Sequence, residues 1–245
     1  MKQRYKATIS YNGSNYHGWA AQPKQITIQG TIEQTIAKVF NQKVKVFAAG
    51  RTDAGVNALG QIIHFDLDLN IKCKQIKEAL NKALPYDIRF NEVKKTHKDF
   101  NARFNAKNKI YIYSINTDKK INAIESNHIY QYNKPINVRY LRQISKKFLG
   151  KHNFLSFSTD EREGESLIRE ILSINISVNK KLVYIKIKGT GFLRSQVRMM
   201  VGSLLACNEN KLAVKDINSF IKNPKKGQAT YKAPACGLTL YKVYY

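Results

Sequence analysis

One stretch of the sequence, between two segments of strand-like alternation, reads Ala49-Gly50-Arg51-Thr52-Asp53-Ala54-Gly55-Val56-Asn57-Ala58-Leu59-Gly60-Gln61. Its glycines, Gly50, Gly55 and Gly60, permit unusual backbone angles and the close approach of another chain or a ligand. We predict a loop over residues 50–60, which is too long for a tight hairpin. Loops of this kind often carry function.

The loop contains one acid, Asp53, two residues after one base, Arg51. In extended backbone, positions two apart point the same way, so the guanidinium can hold the carboxylate ionised and oriented. An ionised, fixed carboxylate can act as a nucleophile toward a sugar carbon. On the residues alone, a turn with a surface ion pair is the more common arrangement, and such pairs contribute little to stability.

The pattern of apolar residues on either side of the loop predicts alternating strands and helices. Alternation predicts strands at residues 5–11, 44–47, 63–69, 88–93, 110–115, 172–178, 183–187 and 238–245. Helical spacing predicts helices at residues 28–40, 76–84, 141–148, 197–204 and 214–220. We predict an α+β protein with two related lobes, each an antiparallel or mixed sheet backed by helices. The expected boundary divides residues 1–103, which carry the Asp53 loop, from residues 104–245.

The charge of the chain indicates a polyanionic partner. The 245 residues include 42 Lys and Arg against 17 Asp and Glu, a formal net charge of +25. Nucleic acid is the first candidate. A membrane surface is less favoured, because the basic residues are spread along strands and loops rather than on one amphipathic helix face. No apolar run approaches the ~20 residues of a membrane span.

The N-terminus and the cysteines predict the compartment. Residues 1–5 run directly into strand-like sequence, so we expect no signal peptide. Cys73, Cys207 and Cys236 are odd in number and far apart, which favours a reducing cytoplasm over a disulfide framework or a zinc site.

The loop segment Gly50–Val56 resembles the signature of the tRNA pseudouridine synthase A family. Further segments resemble landmarks of that family and occur in the same order to the C-terminus. They are Tyr11–Trp19, Thr27–Gly30, Leu84–Ile88, Phe100–Ala106, Lys109–Tyr113, His152–Phe154, Gly191–Gly202 and Ala233–Leu238.

This resemblance implies the pseudouridine synthase fold, with a basic cleft between two lobes. It implies a homodimer that isomerises uridine to pseudouridine at positions 38, 39 and 40 of the tRNA anticodon stem-loop. No cofactor and no metal are expected. Asp53 matches the family's nucleophile, Tyr111 its tyrosine that packs on the target uracil, and Arg198 an arginine of the cleft.

The chemistry leaves two routes open for Asp53. The carboxylate either attacks C1′ directly or removes the 2′ proton to produce a glycal. A uridine in a stem must be flipped out at a cost of a few kcal/mol. Arg51 is placed to occupy the vacated space or to contact a phosphate. Arg194 lies four residues before Arg198, so we predict both on one face of a helix, with Arg194 as the weaker phosphate contact.

The sequence departs from the family pattern at four positions. Asn57 stands where the family usually has His, and it cannot titrate, so we expect no acid–base function there. Asn12, Ala20 and Gln196 replace the usual Asp, Gln and Met.

Two other functions compete with the synthase hypothesis. His64, Asp66 and Asp68 alternate along one predicted strand face, which admits a metal-dependent nuclease, although a polar outer strand face is the more common reason for this pattern. A non-catalytic RNA-binding protein would account for the charge but not for the Arg51-Thr52-Asp53 segment.

Overall fold

The computed structural model of the chain describes residues 2–120, 123–159 and 167–245. It divides into two compact units. The first extends to Lys107 and includes the C-terminal residues Leu240–Tyr245, and the second is Asn108–Thr239.

The first unit is a sheet with two helices. Its elements are β1 (Gln3–Tyr11), α1 (Ile28–Phe40), β2 (Phe47–Ala48), β3 (Asn57–Leu67), α2 (Cys73–Ala83) and β4 (Ile88–Lys95). Strand β1 lies between β3 and β4 and is antiparallel to both. The core lies between the sheet and the helices, where α1 buries Ile28, Ile32 and Ile36 and α2 buries Ile76 and Leu80. Removing these side chains from water stabilises the unit by roughly 1.5–3 kcal/mol per residue.

Both helices begin or end where local sequence chemistry predicts. Thr27 is the N-cap of α1, and its side chain accepts a hydrogen bond from the Gly30 amide at 3.2 Å. Helix α2 ends at Ala83, before Pro85, which has no N–H to continue it. The predictions for these two helices are confirmed.

The strand predicted at residues 44–47 is wrong for most of its length, because β2 contains only Phe47 and Ala48. The cause is side-chain competition from α1. The Val46 amide donates to Glu33 Oε1 at 2.8 Å, and the Val46 carbonyl accepts from Gln29 Nε2 at 3.2 Å. These bonds satisfy the backbone of Val46 without a neighbouring strand.

The predicted loop over residues 50–60 ends earlier than expected, because β3 begins at Asn57. Tyr11 of β1 pairs with Ala58, so the strand ladder extends beyond the alternating residues 63–69. Gly60 made this extension hard to predict from the sequence, because glycine is uncommon in strands. A Cβ atom at Gly60 would lie 2.5 Å from the Tyr241 carbonyl oxygen, so the strand requires glycine there for close packing.

The second unit also combines a sheet with helices. Its elements are β5 (Asn108–Asn116), β6 (Tyr130–Gln131), α3 (Val138–Ser145), β7 (Gly150–Asn153), β8 (Ile168–Asn179), β9 (Leu182–Gly189), α4 (Gln196–Asn208) and α5 (Val214–Lys222). A last strand, β10 (Leu238–Tyr244), begins in this unit and ends in the first. Strand β9 is antiparallel to β5 and to β8, whereas β6 is parallel to β5.

The predicted hairpin in the second unit is confirmed, with Lys180 at φ +55° in the turn between β8 and β9. Helix α4 is buried along nearly its whole length, and α3 and α5 pack fewer side chains inward. Both units therefore combine a sheet with covering helices, and the predicted α+β class is confirmed. None of the helices in the described residues combines the length and apolarity that crossing a membrane requires.

Candidate active site

The Asp53 loop, residues 49–56, connects β2 to β3 in the first unit. Its side chains differ in exposure: Arg51 is exposed, Thr52 is buried and Asp53 is half-buried. The acid thus has both solvent access and protein contacts, and the residue before it is anchored in the interior.

Backbone hydrogen bonds fix the loop on both sides of Asp53. The Ala49 amide donates to the Ile62 carbonyl at 2.8 Å, and the Trp19 amide donates to the Thr52 carbonyl at 3.0 Å. The Val56 amide donates to the carbonyl of Asp53 itself at 3.2 Å. Because these groups are paired, the position of the Asp53 α-carbon is set by the scaffold.

A network of buried side-chain hydrogen bonds also holds this loop. The Tyr11 hydroxyl and Thr52 Oγ1 are hydrogen-bonded at 2.9 Å, and Gln61 Nε2 donates to the Gly50 carbonyl at 2.7 Å. Tyr11, Thr52 and Gln61 have exposed fractions of 4%, 8% and 0%. Burial raises the pKa of Tyr11 to about 12, against the opposing effect of its hydrogen bonds to Thr52 and Gln61, so the phenol is protonated at neutral pH.

Two glycines of the Tyr11–Trp19 segment allow the loop to approach closely. A methyl group at Gly13 would overlap the Val56 carbonyl. Gly18 has φ +86°, and a Cβ atom there would lie 2.8 Å from the Thr52 carbonyl oxygen. The steric need for glycine at both positions explains why Gly13 and Gly18 stand where this segment packs against the loop.

Asn57 supports the loop structurally. It is buried, and its Oδ1 accepts a hydrogen bond from the Gly13 amide at 2.9 Å. An acceptor at this position satisfies the buried Gly13 N–H. Asn57 therefore makes this contact without a titratable side chain.

The second unit contains Tyr111, on β5, where it pairs in register with Ile187 of β9. Its side chain is 7% exposed, and its ring packs edge-on against Phe192 with centroids 5.1 Å apart. This contact fixes the plane of the Tyr111 ring.

Arg198 and Arg194 do not share a helix face, and that prediction is wrong. Helix α4 begins at Gln196, after Ser195 at φ +59°. The left-handed backbone of Ser195 does not fit an α-helix, so Arg194 lies exposed before the helix. The Gln196 Oε1 atom accepts a hydrogen bond from the Leu193 amide at 2.8 Å.

Arg198 itself is held at a defined place within the second unit. Its Nε donates to the Ala233 carbonyl at 2.9 Å, and the Ala233 amide donates to the Arg198 carbonyl at 3.0 Å. The side chain is therefore oriented by a segment that lies far away in sequence.

The residues that suggested a metal site have other contacts. His64 is buried, its Nδ1 accepts from the Ala102 amide at 3.1 Å, and its ring stacks on Phe47. Asp66 accepts hydrogen bonds from Arg4 at 2.8 and 2.9 Å. Among the described residues, no group of three or more His, Cys, Asp or Glu side chains is placed to hold a metal ion.

Sequence reasoning missed Tyr11, Thr52 and Gln61 as supports of the loop. In the sequence, Tyr11 ends a predicted strand and begins the family-like segment Tyr11–Trp19, and Gln61 stands at the end of the glycine-containing segment. The sequence signal that could have identified the support is Gln61, a polar residue at an inward strand position. A buried Gln requires a hydrogen-bond partner, and the adjacent loop is the nearest segment that can provide one.

Comparison with known proteins identifies first a class of enzyme. A family model described as tRNA pseudouridine synthase matches residues 7–105 and 144–245. These ranges contain Asp53 and its supports in the first unit and Arg198 in the second.

Full-length relatives narrow the assignment. A protein named tRNA pseudouridine synthase A from Malacoplasma penetrans is 41% identical over 98% of this chain and 99% of its own length. Proteins of the same name from Mycoplasma genitalium and Lactobacillus delbrueckii subsp. bulgaricus are 38% and 36% identical, over 99% and 100% of this chain and 98% and 95% of theirs. The chain belongs to the tRNA pseudouridine synthase A family, a family of isomerases.

Proposed function

We propose that this protein isomerises uridine to pseudouridine at positions 38, 39 and 40 of the tRNA anticodon stem-loop, with Asp53 as the nucleophile and without a cofactor. Full-length similarity to enzymes named tRNA pseudouridine synthase A carries the proposal. The geometry of the loop supports it, since the one acid of the segment is half-buried on a backbone that is hydrogen-bonded at Thr52 and at Asp53 itself.

The reaction suits a single carboxylate. The C1′–N1 bond breaks, the uracil turns, and a C1′–C5 bond forms while C5 loses its proton and N1 gains one. No electrons leave the substrate, so the balance requires no redox partner. Asp53 either attacks C1′ or removes the 2′ proton, and in both routes a fixed carboxylate avoids the cost of reorganisation in the transition state.

Three further residues complete the proposed site. Tyr111 stacks on the target uracil, supported by the orientation that Phe192 imposes on its ring. Base–aromatic stacking contributes ~1–3 kcal/mol. Arg51, which is exposed, occupies the space that the flipped nucleotide leaves or contacts a phosphate. Arg198, oriented by Ala233, binds the RNA backbone.

We further propose that the enzyme acts in the cytoplasm as a homodimer on tRNA. The net charge of +25 supports a polyanionic substrate, because phosphate contacts offset the self-repulsion of the chain. Cys73, Cys207 and Cys236 are thiols rather than parts of disulfides, which fits a reducing compartment.

The test compares Asp53→Ala and Asp53→Asn with the wild type and with Asp99→Asn, a control at an exposed acid of the same unit. Tritium release from C5-labelled uridine is measured in tRNA and in anticodon stem-loops that carry one uridine at position 38, 39 or 40. Both Asp53 variants should bind tRNA and release no tritium, whereas Asp99→Asn should retain activity. Conversion by either Asp53 variant would refute the nucleophile, and wild-type conversion only at other positions would refute the site assignment.

A further inference from the structure

The turn between α2 and β4 contains a solvent-exposed tyrosine. Tyr86 is 96% exposed, between Pro85 and Asp87. A ring this exposed gains almost nothing from burial within the fold, so the fold itself does not explain an aromatic side chain there.

One face of the Tyr86 ring carries a fixed cation. The guanidinium carbon of Arg89 lies 4.7 Å from the centroid of the ring. Arg89 Nη1 in turn donates to the carbonyls of Pro85 at 2.8 Å and of Ile88 at 2.7 Å, with a longer bond of 3.4 Å to Leu84. The backbone of the turn thus positions the guanidinium, and the guanidinium supports the ring.

The turn is also tied to the segment that supports the Asp53 loop. The Asn12 amide donates to the Asp87 carbonyl at 2.9 Å, and the Tyr16 hydroxyl donates to Asp87 Oδ1 at 2.6 Å. Gly13, the residue after Asn12, donates from its amide to Asn57, the first residue after the loop. The turn that carries Tyr86 and the loop that carries Asp53 are therefore hydrogen-bonded to the same segment, residues 12–16.

We propose that Tyr86 is a stacking platform for a nucleobase of the tRNA substrate, outside the position that is isomerised. An aromatic ring backed by a guanidinium combines the two features that bind single-stranded or unstacked nucleotides, a π-face and a positive charge. The inference rests on the proposed function for the identity of the RNA. The net charge of +25 favours a nucleic acid over a protein surface as the occupant.

Stacking makes a specific prediction about side-chain chemistry. Affinity for tRNA should fall about tenfold in Tyr86→Ala and Tyr86→Leu, which lack a π-face, and should remain near the wild-type value in Tyr86→Phe and Tyr86→Trp. Tyr241→Ala, which removes an exposed tyrosine elsewhere in the same unit, serves as the control and should bind as the wild type does. Thermal unfolding of each variant reports whether Tyr86 instead has a structural function.

The affinity is measured in an Asp53→Ala background, so that binding is separated from turnover. Trp19 is the one tryptophan of the chain and is buried, so Tyr86→Trp adds an exposed reporter. Anticodon stem-loop RNA should quench the emission of Trp introduced at position 86 and leave that of Trp19 nearly unchanged. Unchanged affinity in Tyr86→Ala, or equal loss in Tyr86→Phe and Tyr86→Ala, would overturn the proposal. Absence of synthase activity in the wild type would refute the proposed function alone, since these binding measurements do not depend on turnover.

Discussion

The hydrogen bond between Tyr11 and Thr52 provides the sharpest test of how the fold positions Asp53. Tyr11→Phe removes only the hydroxyl, since the ring retains its packing near Trp19, with centroids 6.1 Å apart. The Thr52 hydroxyl then loses the partner it has at 2.9 Å, at a site where both side chains are buried.

The expected loss of stability follows from this burial. A buried hydroxyl left without its partner costs ~1–3 kcal/mol, whereas removing both partners together is nearly neutral. We expect Tyr11→Phe to lower the free energy of unfolding by about 1–2 kcal/mol, which for a chain of this size is a fall in Tm of about 2–8 °C. The double variant Tyr11→Phe/Thr52→Val should be more stable than the sum of the single variants by about 1 kcal/mol.

The same change should slow the reaction. A displacement of a catalytic group by about 1 Å can cost ~10²-fold. The Thr52 carbonyl is still held by the Trp19 amide at 3.0 Å, so the displacement should be smaller and kcat should fall about tenfold with KM unchanged. Because the pKa of Tyr11 is raised to about 12, the phenol is neutral in the wild type across the assay range, and the deficit should not vary with pH there.

The assays are urea unfolding for the stability cycle and single-turnover tritium release for the chemical step. Additive effects of the two substitutions, within about 0.5 kcal/mol, would show that the bond does not couple the residues. Wild-type kcat in Tyr11→Phe would refute the view that this contact positions Asp53.

Three other predictions concern acid stability, packing and RNA binding. Hydrogen bonds from Lys134 and Lys211 lower the pKa of Glu209 to about 2. The ionised carboxylate therefore stabilises the fold above the ordinary glutamate pKa, and this contribution is lost as the pH falls toward 2. Glu209→Gln should flatten the dependence of Tm on pH over that interval, and an unchanged slope would contradict this. Gly60→Ala should lower the free energy of unfolding by about 1–3 kcal/mol in chemical denaturation, because the new methyl meets the Tyr241 carbonyl; wild-type stability would show that the strand yields there. Affinity for tRNA should fall by roughly 10³–10⁵ between low and moderate salt if six to ten phosphates are contacted, and a flat dependence in filter binding would rule out the electrostatic interpretation.

The fold could be predicted where local chemistry decides the structure. Helix α1 begins after Thr27 because that side chain caps it, and α2 ends before Pro85 because proline cannot continue it. The strand alternation in β1 and β9 follows from burial of one face. These elements depend on neighbours in sequence, which a single sequence displays.

The errors arise where a hydrogen bond or a backbone angle that the periodic pattern does not display decides the structure. Residues 44–46 have the composition of a strand, but Glu33 and Gln29 of α1 take the hydrogen bonds of Val46. Arg194 has helical spacing from Arg198, but Ser195 between them has φ +59°, so the helix starts two residues after Arg194. Neither effect is visible in a periodic pattern, because the first depends on which polar side chain reaches the backbone and the second on one left-handed residue.

In the Asp53 loop, the motif is visible in the sequence, whereas the contacts that hold the motif in place are not. Asn57 is an example of such a contact. The motif residues could be recognised from sequence, but the anchors that make the loop rigid come from the Tyr11–Trp19 segment and from Gln61. Asn57 is one of these anchors: it accepts from the Gly13 amide, a task that a neutral imidazole nitrogen at the same position would also perform. The replacement of the family's usual His by Asn therefore keeps the acceptor that holds the two segments together.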